Sequence, residues 1–118
     1  MESPRPLQWR LVRAKLDPVV GSEQAGERPV LVVSCEAVNE TLPIVTVLPL
    51  TVLKPGRRIY PSEVVLEAGV AGQPWDSIIL AHQIRTISKV RLGPPYGAIS
   101  SEAIRERVRA AIRIHLDL

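Results

Sequence analysis

Few side chains in this sequence are equipped for chemistry, and their spacing limits what they could do. There is one cysteine, Cys35, and there are two histidines, His82 and His115. They stand far apart without the short ligand spacings of a zinc site, so no metal centre is expected. Cys35 closes an apolar run and reads as a small core residue. GSEQAG, residues 21–26, lacks the lysine and the following helix of a phosphate-binding loop, and no G-x-S-x-G elbow occurs. The cations are grouped. Arg5, Arg10, Arg13 and Lys15 form a stretch with no acid between them, Lys54, Arg57 and Arg58 a second, and Arg85, Lys89 and Arg91 a third. If folding gathers two of these, the result is a surface suited to phosphate backbones; otherwise they are scattered solvated charges. Taken alone, Arg28 could simply pair with Glu23 or Glu27, and the Thr51 hydroxyl could be satisfied by its own backbone.

The elements that must position these groups follow from pattern. With 118 residues, 46% hydrophobic and 23% charged, the chain has the size and composition of one globular domain, residues 1–118, and not of a disordered segment. Its net charge is +3, and the aromatic share is 3% (Trp9, Trp75, Tyr60, Tyr96), so the core must be Val, Ile and Leu. That scarcity argues against a single-stranded nucleic-acid binder built on rows of stacked aromatics. No apolar run approaches the roughly 20 residues of a membrane span. The first residues lack the apolar segment of a signal peptide, and a lone cysteine points to the cytoplasm. Residues 1–6, with two prolines, read as a loose arm, and 7–16 as a strand broken at Asp17-Pro18. A loop at 19–29 leads to a buried strand at 29–35, a turn around Asn39 at 36–42, and another buried strand at 44–50. An exposed loop at 52–60 precedes strands at 63–67 and 77–81, separated by a loop at 68–76. Residues 83–90 alternate weakly and could form a further short strand, which Gly93-Pro94-Pro95 should stop. The C-terminus is a clear helix, capped by Ser100 or Ser101 with Glu102 in its first turn. Ile104, Val108, Ala111, Ile112 and His115 share its apolar face, which makes His115 a packed residue. Arg105, Glu106, Arg109 and Arg113 take the other face, with Glu102/Arg105 and Glu106/Arg109 as pairs. Short apolar strands, charged loops and one closing helix imply a mainly β (α+β) domain, a compact barrel or strongly curved sheet.

The stretch GSEQAGERPVLVVS, Gly21 to Ser34, resembles the MazF/PemK family of type II toxins, sequence-specific endoribonucleases also called mRNA interferases. LDP at 16–18, LPIVTVLPLT at 42–51, DSIILAHQIRTISKVRLG at 76–93 and the C-terminal IRIHLDL agree in order and spacing. The resemblance runs from about Val12 to Leu118. It implies a small SH3-like barrel of the CcdB/MazF type with a C-terminal amphipathic helix, usually a homodimer. It implies cleavage of single-stranded RNA, messenger RNA included, without metal or other cofactor, leaving a 2′,3′-cyclic phosphate and a 5′-hydroxyl. It also implies a cognate antitoxin whose extended, acidic C-terminal segment occupies the RNA groove. Barrels of this type also occur in toxins that poison DNA gyrase by binding it, and an inactive interaction barrel is a further alternative.

In the family the catalytic pair is an arginine in the R-P-V element and a threonine closing the next strand, which match Arg28 and Thr51. A guanidinium fork and a hydroxyl suit the charge that builds on phosphate oxygens during attack by a ribose 2′-hydroxyl. Ser22, Glu23 and Gln24 match the family's substrate-covering loop, with Glu23 able to hold Arg28 and Gln24 to contact RNA. Gln83, Arg85 and Thr86 match a Q-I-R-T element lining the groove floor, Gln83 for base edges and Arg85 for phosphate. Three positions depart from the family pattern. Gln8-Trp9-Arg10 replaces R-G-[DE], Lys15 stands where an acid is common, and His82 replaces the Asp or Glu before the glutamine. If His82 faces the groove, its cation would favour RNA binding at lower pH; otherwise it caps the strand that Ser77 begins.

Overall fold

The structure, a computed structural model, describes residues 5–17, 20, 21, 23 and 26–118. Seven strands and two helices follow in the order β1 (Arg10–Lys15), β2 (Glu27–Val32), α1 (Glu36–Thr41), β3 (Ile44–Val52), β4 (Glu63–Leu66), β5 (Ser77–Leu80), β6 (Arg85–Ser88), β7 (Leu92–Ala98) and α2 (Glu102–Leu116). Single 3₁₀ turns, Ala81–Gln83 and Lys89–Arg91, flank β6. All strand pairs are antiparallel, in the order β4-β5-β3-β2-β1-β7, with β6 also on β3. The long β3 is the spine. Its first half pairs with β6, its second half with β5, and its middle with β2.

Strand alternation divides the aliphatic residues into two layers. Leu11, Leu31 and Leu48 lie in register across three strands and pack with Leu50, Ile79 and the α2 residues Val108 and Ala111. Val12, Ala14, Leu16, Val30, Val32, Val45, Val47 and Ile87 fill the other face. Residues 47–50 of β3 are buried without a break, as expected for a strand covered on both sides.

β4 and β7 end the path of paired strands, and a loop brings them together. The buried Gln73 side chain donates to the carbonyls of Leu66 and Glu67 and accepts from Ala71 N, folding residues 67–73 into a compact turn. That turn presses on β7 so closely that a Cβ on Gly97 would lie 2.8 Å from the Ala71 carbonyl oxygen. Glycine is required there for backbone to meet backbone. The result is a curved, barrel-like sheet with α2 on one face.

Several sequence expectations are corrected. Residues 36–41 are a helix, not a turn: six residues are too few to show a period, and Asn39 is buried, donating to the Ser34 carbonyl and to Glu36. Cys35 precedes this helix and is exposed, so it is no core residue. β2 begins at Glu27, which puts Arg28 and Pro29 in the strand and ends it at Val32. Gly93-Pro94-Pro95 lies inside β7 instead of stopping the chain. β7 is an edge strand, where prolines forfeit no hydrogen bond that a neighbour needs, and its pairing with β1 shifts around them. β1 starts at Arg10, after a turn in which Trp9 adopts φ 68°. The Glu36 carboxylate accepts the Leu7 and Gln8 N–H groups there. Ser101 caps α2, but His115 is exposed, because the last turn, with Ile114 and Leu116, runs past the sheet. Glu102 pairs with Arg109, not Arg105, whose Nε donates to the Ile99 carbonyl; the Glu106–Arg109 pair forms. Residues 1–4, Pro18 and Val19 lie outside the described residues.

Candidate active site

The β2–β3 register matches Val30 with Pro49 and Leu31 with Leu48. Continued by two residues, it sets Arg28 opposite Thr51. Both follow the alternation of the second core layer, Arg28 after Val32 and Val30, Thr51 after Val45 and Val47. At this end of β2 and β3 is a hollow of about 320 Å³ lined by Arg13, Glu27, Arg28, Thr51, Trp75, Ser77 and Tyr96, with Pro29, Leu50 and Val52. Leu50 and Tyr96 belong to the first layer, so residues of both alternations border it. Neighbouring strands supply its walls. Ser77 lies opposite Val52 on β5, and its Oγ donates to the Trp75 carbonyl at 2.9 Å. On β1, Arg13 Nη2 donates to the Tyr96 hydroxyl at 2.8 Å, with the guanidinium 5.7 Å from the ring centre.

A second hollow, of about 280 Å³, shares Arg13 and Glu27 with the first and adds Lys15, Arg91, Gly93 and Pro94 among its walls. The two form a continuous band carrying Arg28, Arg13, Lys15 and Arg91. Folding has thus joined the first and third cationic stretches of the sequence. The second stretch lies elsewhere: Arg57 donates both Nη groups to Glu63, at 2.9 and 2.8 Å. The Glu63 side chain is only 1% exposed. The bidentate bond from Arg57 holds its carboxyl below the usual range against the opposing cost of burial, and Tyr60 N–H helps. This pair anchors the loop between β3 and β4.

The base of the β1–β2 loop is clamped by two arginines. Arg85 Nη1 donates to the Leu16 carbonyl at 3.3 Å, and Arg91 Nη1 to the carbonyls of Lys15, at 3.2 Å, and Asp17. Leu16 N–H in turn donates to the Gly26 carbonyl at 3.0 Å, two residues before Arg28.

The structure brings Arg28 and Thr51 to one pocket, and among the described residues the expected Glu23, His82, Gln83, Arg85 and Thr86 are not in its lining. Glu23 is exposed, and Ser22 and Gln24 lie outside the described residues. Arg85 and Thr86, adjacent on a strand, face opposite sides: Arg85 turns toward Leu16, and the Thr86 hydroxyl meets that of Thr46 at 3.0 Å. Gln83 is half-buried in the 3₁₀ turn after β5. His82, in the same turn, is exposed with Nδ1 3.2 Å from Ser62 Oγ, at the end of β5 away from the pocket residue Ser77. Sequence reasoning missed Arg13, Trp75 and Tyr96 as pocket residues. Only Arg13 carried a signal, its place in a cationic stretch.

A family model described as PemK-like, MazF-like toxin of type II toxin-antitoxin system matches residues 7–116. The chain belongs to this family. Among relatives of this PemK/MazF toxin, Endoribonuclease EndoA of Bacillus subtilis is 39% identical over 105 residues, 89% of each chain. Endoribonuclease MazF9 of Mycobacterium tuberculosis is 36% identical over 108 residues, 87% of this chain and 89% of that one. A solved mycobacterial endoribonuclease in complex with its cognate antitoxin superposes with a TM-score of 0.77 at 26% identity, over 96% of each chain.

Proposed function

We propose that this endoribonuclease toxin of a type II toxin–antitoxin system cuts single-stranded RNA, messenger RNA included, in the Arg28–Thr51 pocket. The attacking group is the ribose 2′-hydroxyl on the 5′ side of the cut. Its oxygen bonds to phosphorus and gives up its proton, the bond from phosphorus to the 5′-oxygen breaks, and that oxygen takes up a proton. The products are a 2′,3′-cyclic phosphate and a 5′-hydroxyl, with no water or metal consumed. Charge grows on the non-bridging oxygens, where the Arg28 fork and the Thr51 hydroxyl act as donors. The observation that carries this reading is the β2–β3 register, which turns two residues 23 positions apart into neighbours in one cationic hollow. A gyrase poison needs no such donor pair.

The cationic band suits an acidic antitoxin segment as well as RNA, and the mycobacterial complex with its antitoxin supports that partner. The working unit is a homodimer of this single domain, expected at twice the 13.0 kDa chain mass in sedimentation. It acts in the cytoplasm, where its substrate is. No helix is long and apolar enough to cross a membrane among the described residues. The test is incubation with long single-stranded RNA in EDTA. Cutting with cyclic-phosphate ends is expected, and a 2′-deoxy nucleotide 5′ to the cut should abolish it. Cleavage of that analogue, or a strict need for a divalent ion, overturns the mechanism.

A further inference from the structure

Trp75 is 46% exposed in a molecule with four aromatic side chains, while the other tryptophan, Trp9, is buried. Exposure of an indole forgoes the burial that aromatic rings ordinarily contribute to a fold. Among the described residues, arginines lie over the rings of Trp9, Tyr60 and Tyr96, and Trp75 is the one aromatic ring without such a cover. Its place is equally specific, on the wall of the hollow that holds Arg28 and Thr51.

The backbone carrying this ring is tied down on each side. The Trp75 carbonyl accepts Ser77 Oγ at 2.9 Å; the Asp76 carboxylate accepts Ala68 N–H and the Asp76 carbonyl accepts Leu53 N–H, both at 2.8 Å. An aromatic ring on so fixed a mount loses little freedom when something lies against it. Arg13, Arg28 and Thr51 line the same hollow with donors that suit a phosphate, and an apolar π-face beside such a site suits the base of the same nucleotide or the next one. Single-stranded RNA offers unstacked bases that aromatic side chains can cover.

We infer that Trp75 stacks on a nucleobase flanking the scissile phosphate and so helps to set where the enzyme cuts. The inference rests on the reading of Arg28 and Thr51 as the pair that handles the phosphate. Stacking on one base is worth roughly 10- to 100-fold in affinity for single-stranded nucleic acid. The scarcity of aromatics that argued against a row of stacked bases leaves room for one.

The experiment uses the full chain, with cut sites first mapped on long single-stranded RNA. Oligonucleotides spanning one mapped site then carry an abasic nucleotide immediately 5′ or 3′ to the cut. For the parent protein one of the two should raise KM by roughly 10-fold or more, and Trp75→Ala should erase that difference while raising KM for the intact oligonucleotide. In parallel, an all-deoxy oligonucleotide of random sequence, which lacks the nucleophile, is titrated against intrinsic fluorescence. Quenching is expected in the parent and should vanish in Trp75→Phe, which keeps a ring in place and leaves Trp9 as the internal reference. An abasic penalty that persists in Trp75→Ala, or quenching that persists in Trp75→Phe, overturns the inference. If Arg28→Ala cuts at the parent rate, the reading of the pair fails, and the fluorescence arm still decides the role of Trp75.

Discussion

In the proposed mechanism Arg28 supplies a fork and Thr51 a single donor, so the two should differ in how much substitution they tolerate. Arg28→Lys keeps the charge but loses the planar geometry that meets two phosphate oxygens at once. It should lower kcat by about 10²–10³, the usual cost of a lost transition-state donor. Thr51→Ala should cost a similar factor, and Thr51→Ser, which restores the hydroxyl, should recover most of it. Thermal unfolding of all three should stay close to the parent, since neither side chain belongs to the buried layers. A Thr51→Ser protein as slow as Thr51→Ala would show that packing of the methyl group, and not the hydroxyl, matters.

Elements place these side chains, and two polar anchors hold the elements. Arg91 and Arg85 bind carbonyls at the end of β1, just where the loop toward Arg28 departs. Arg91→Ala should speed hydrogen exchange at Leu16 N–H, whose bond to Gly26 closes the base of that loop, and lower kcat/KM several-fold without abolishing cleavage. The second anchor, Arg57–Glu63, makes a pH prediction. The folded pKa of Glu63 lies below its unfolded value of about 4.3, so the unfolded chain takes up the proton first as pH falls. Its contribution to stability is fully present above about pH 4.5 and is lost as pH drops through the folded pKa. Glu63→Gln should therefore lower the urea midpoint at pH 7, and the gap to the parent should shrink toward pH 3. Glu36 keeps part of the acid sensitivity in the variant. Burial opposes its ionisation, but hydrogen bonds from Asn39, Gln8 and Leu7 hold its pKa below the ordinary range.

At the scale of the whole molecule, a net charge of +3 says little about RNA binding, whereas the band formed by Arg13, Lys15, Arg28 and Arg91 says more. Each cation that neutralises a single-strand phosphate contributes about 0.7 to the slope of log affinity against log salt. Lys15 is exposed on that band and lies away from the Arg28–Thr51 hollow. Lys15→Ala should reduce the slope by about 0.7, measured from the salt dependence of binding to a non-cleavable 2′-deoxy oligonucleotide. An unchanged slope would mean that the RNA path leaves the second hollow aside.

The aliphatic strands, the capped C-terminal helix and the family are legible in the sequence, because these are local or linear properties. The apolar, β-branched run Ile44–Leu50 marks a buried strand wherever it sits, Ser101 can cap α2 without reference to the rest, and the motif from Gly21 to Ser34 is read in order. That motif singles out Arg28 and the stretch at 42–51 singles out Thr51, but their meeting in one hollow is not legible there, since it depends on the register between β2 and β3. The remainder depends on contacts between elements distant in sequence. Tertiary structure turned Pro94 and Pro95 into part of an edge strand, sent Arg85 and Thr86 to opposite faces, and drew Arg91 to the end of β1. It exposed His115 because the sheet ends before the helix does. Trp75 carried no local signal at all. A loop tryptophan reaches the hollow that Arg28 and Thr51 also line only when the strand after it pairs with β3.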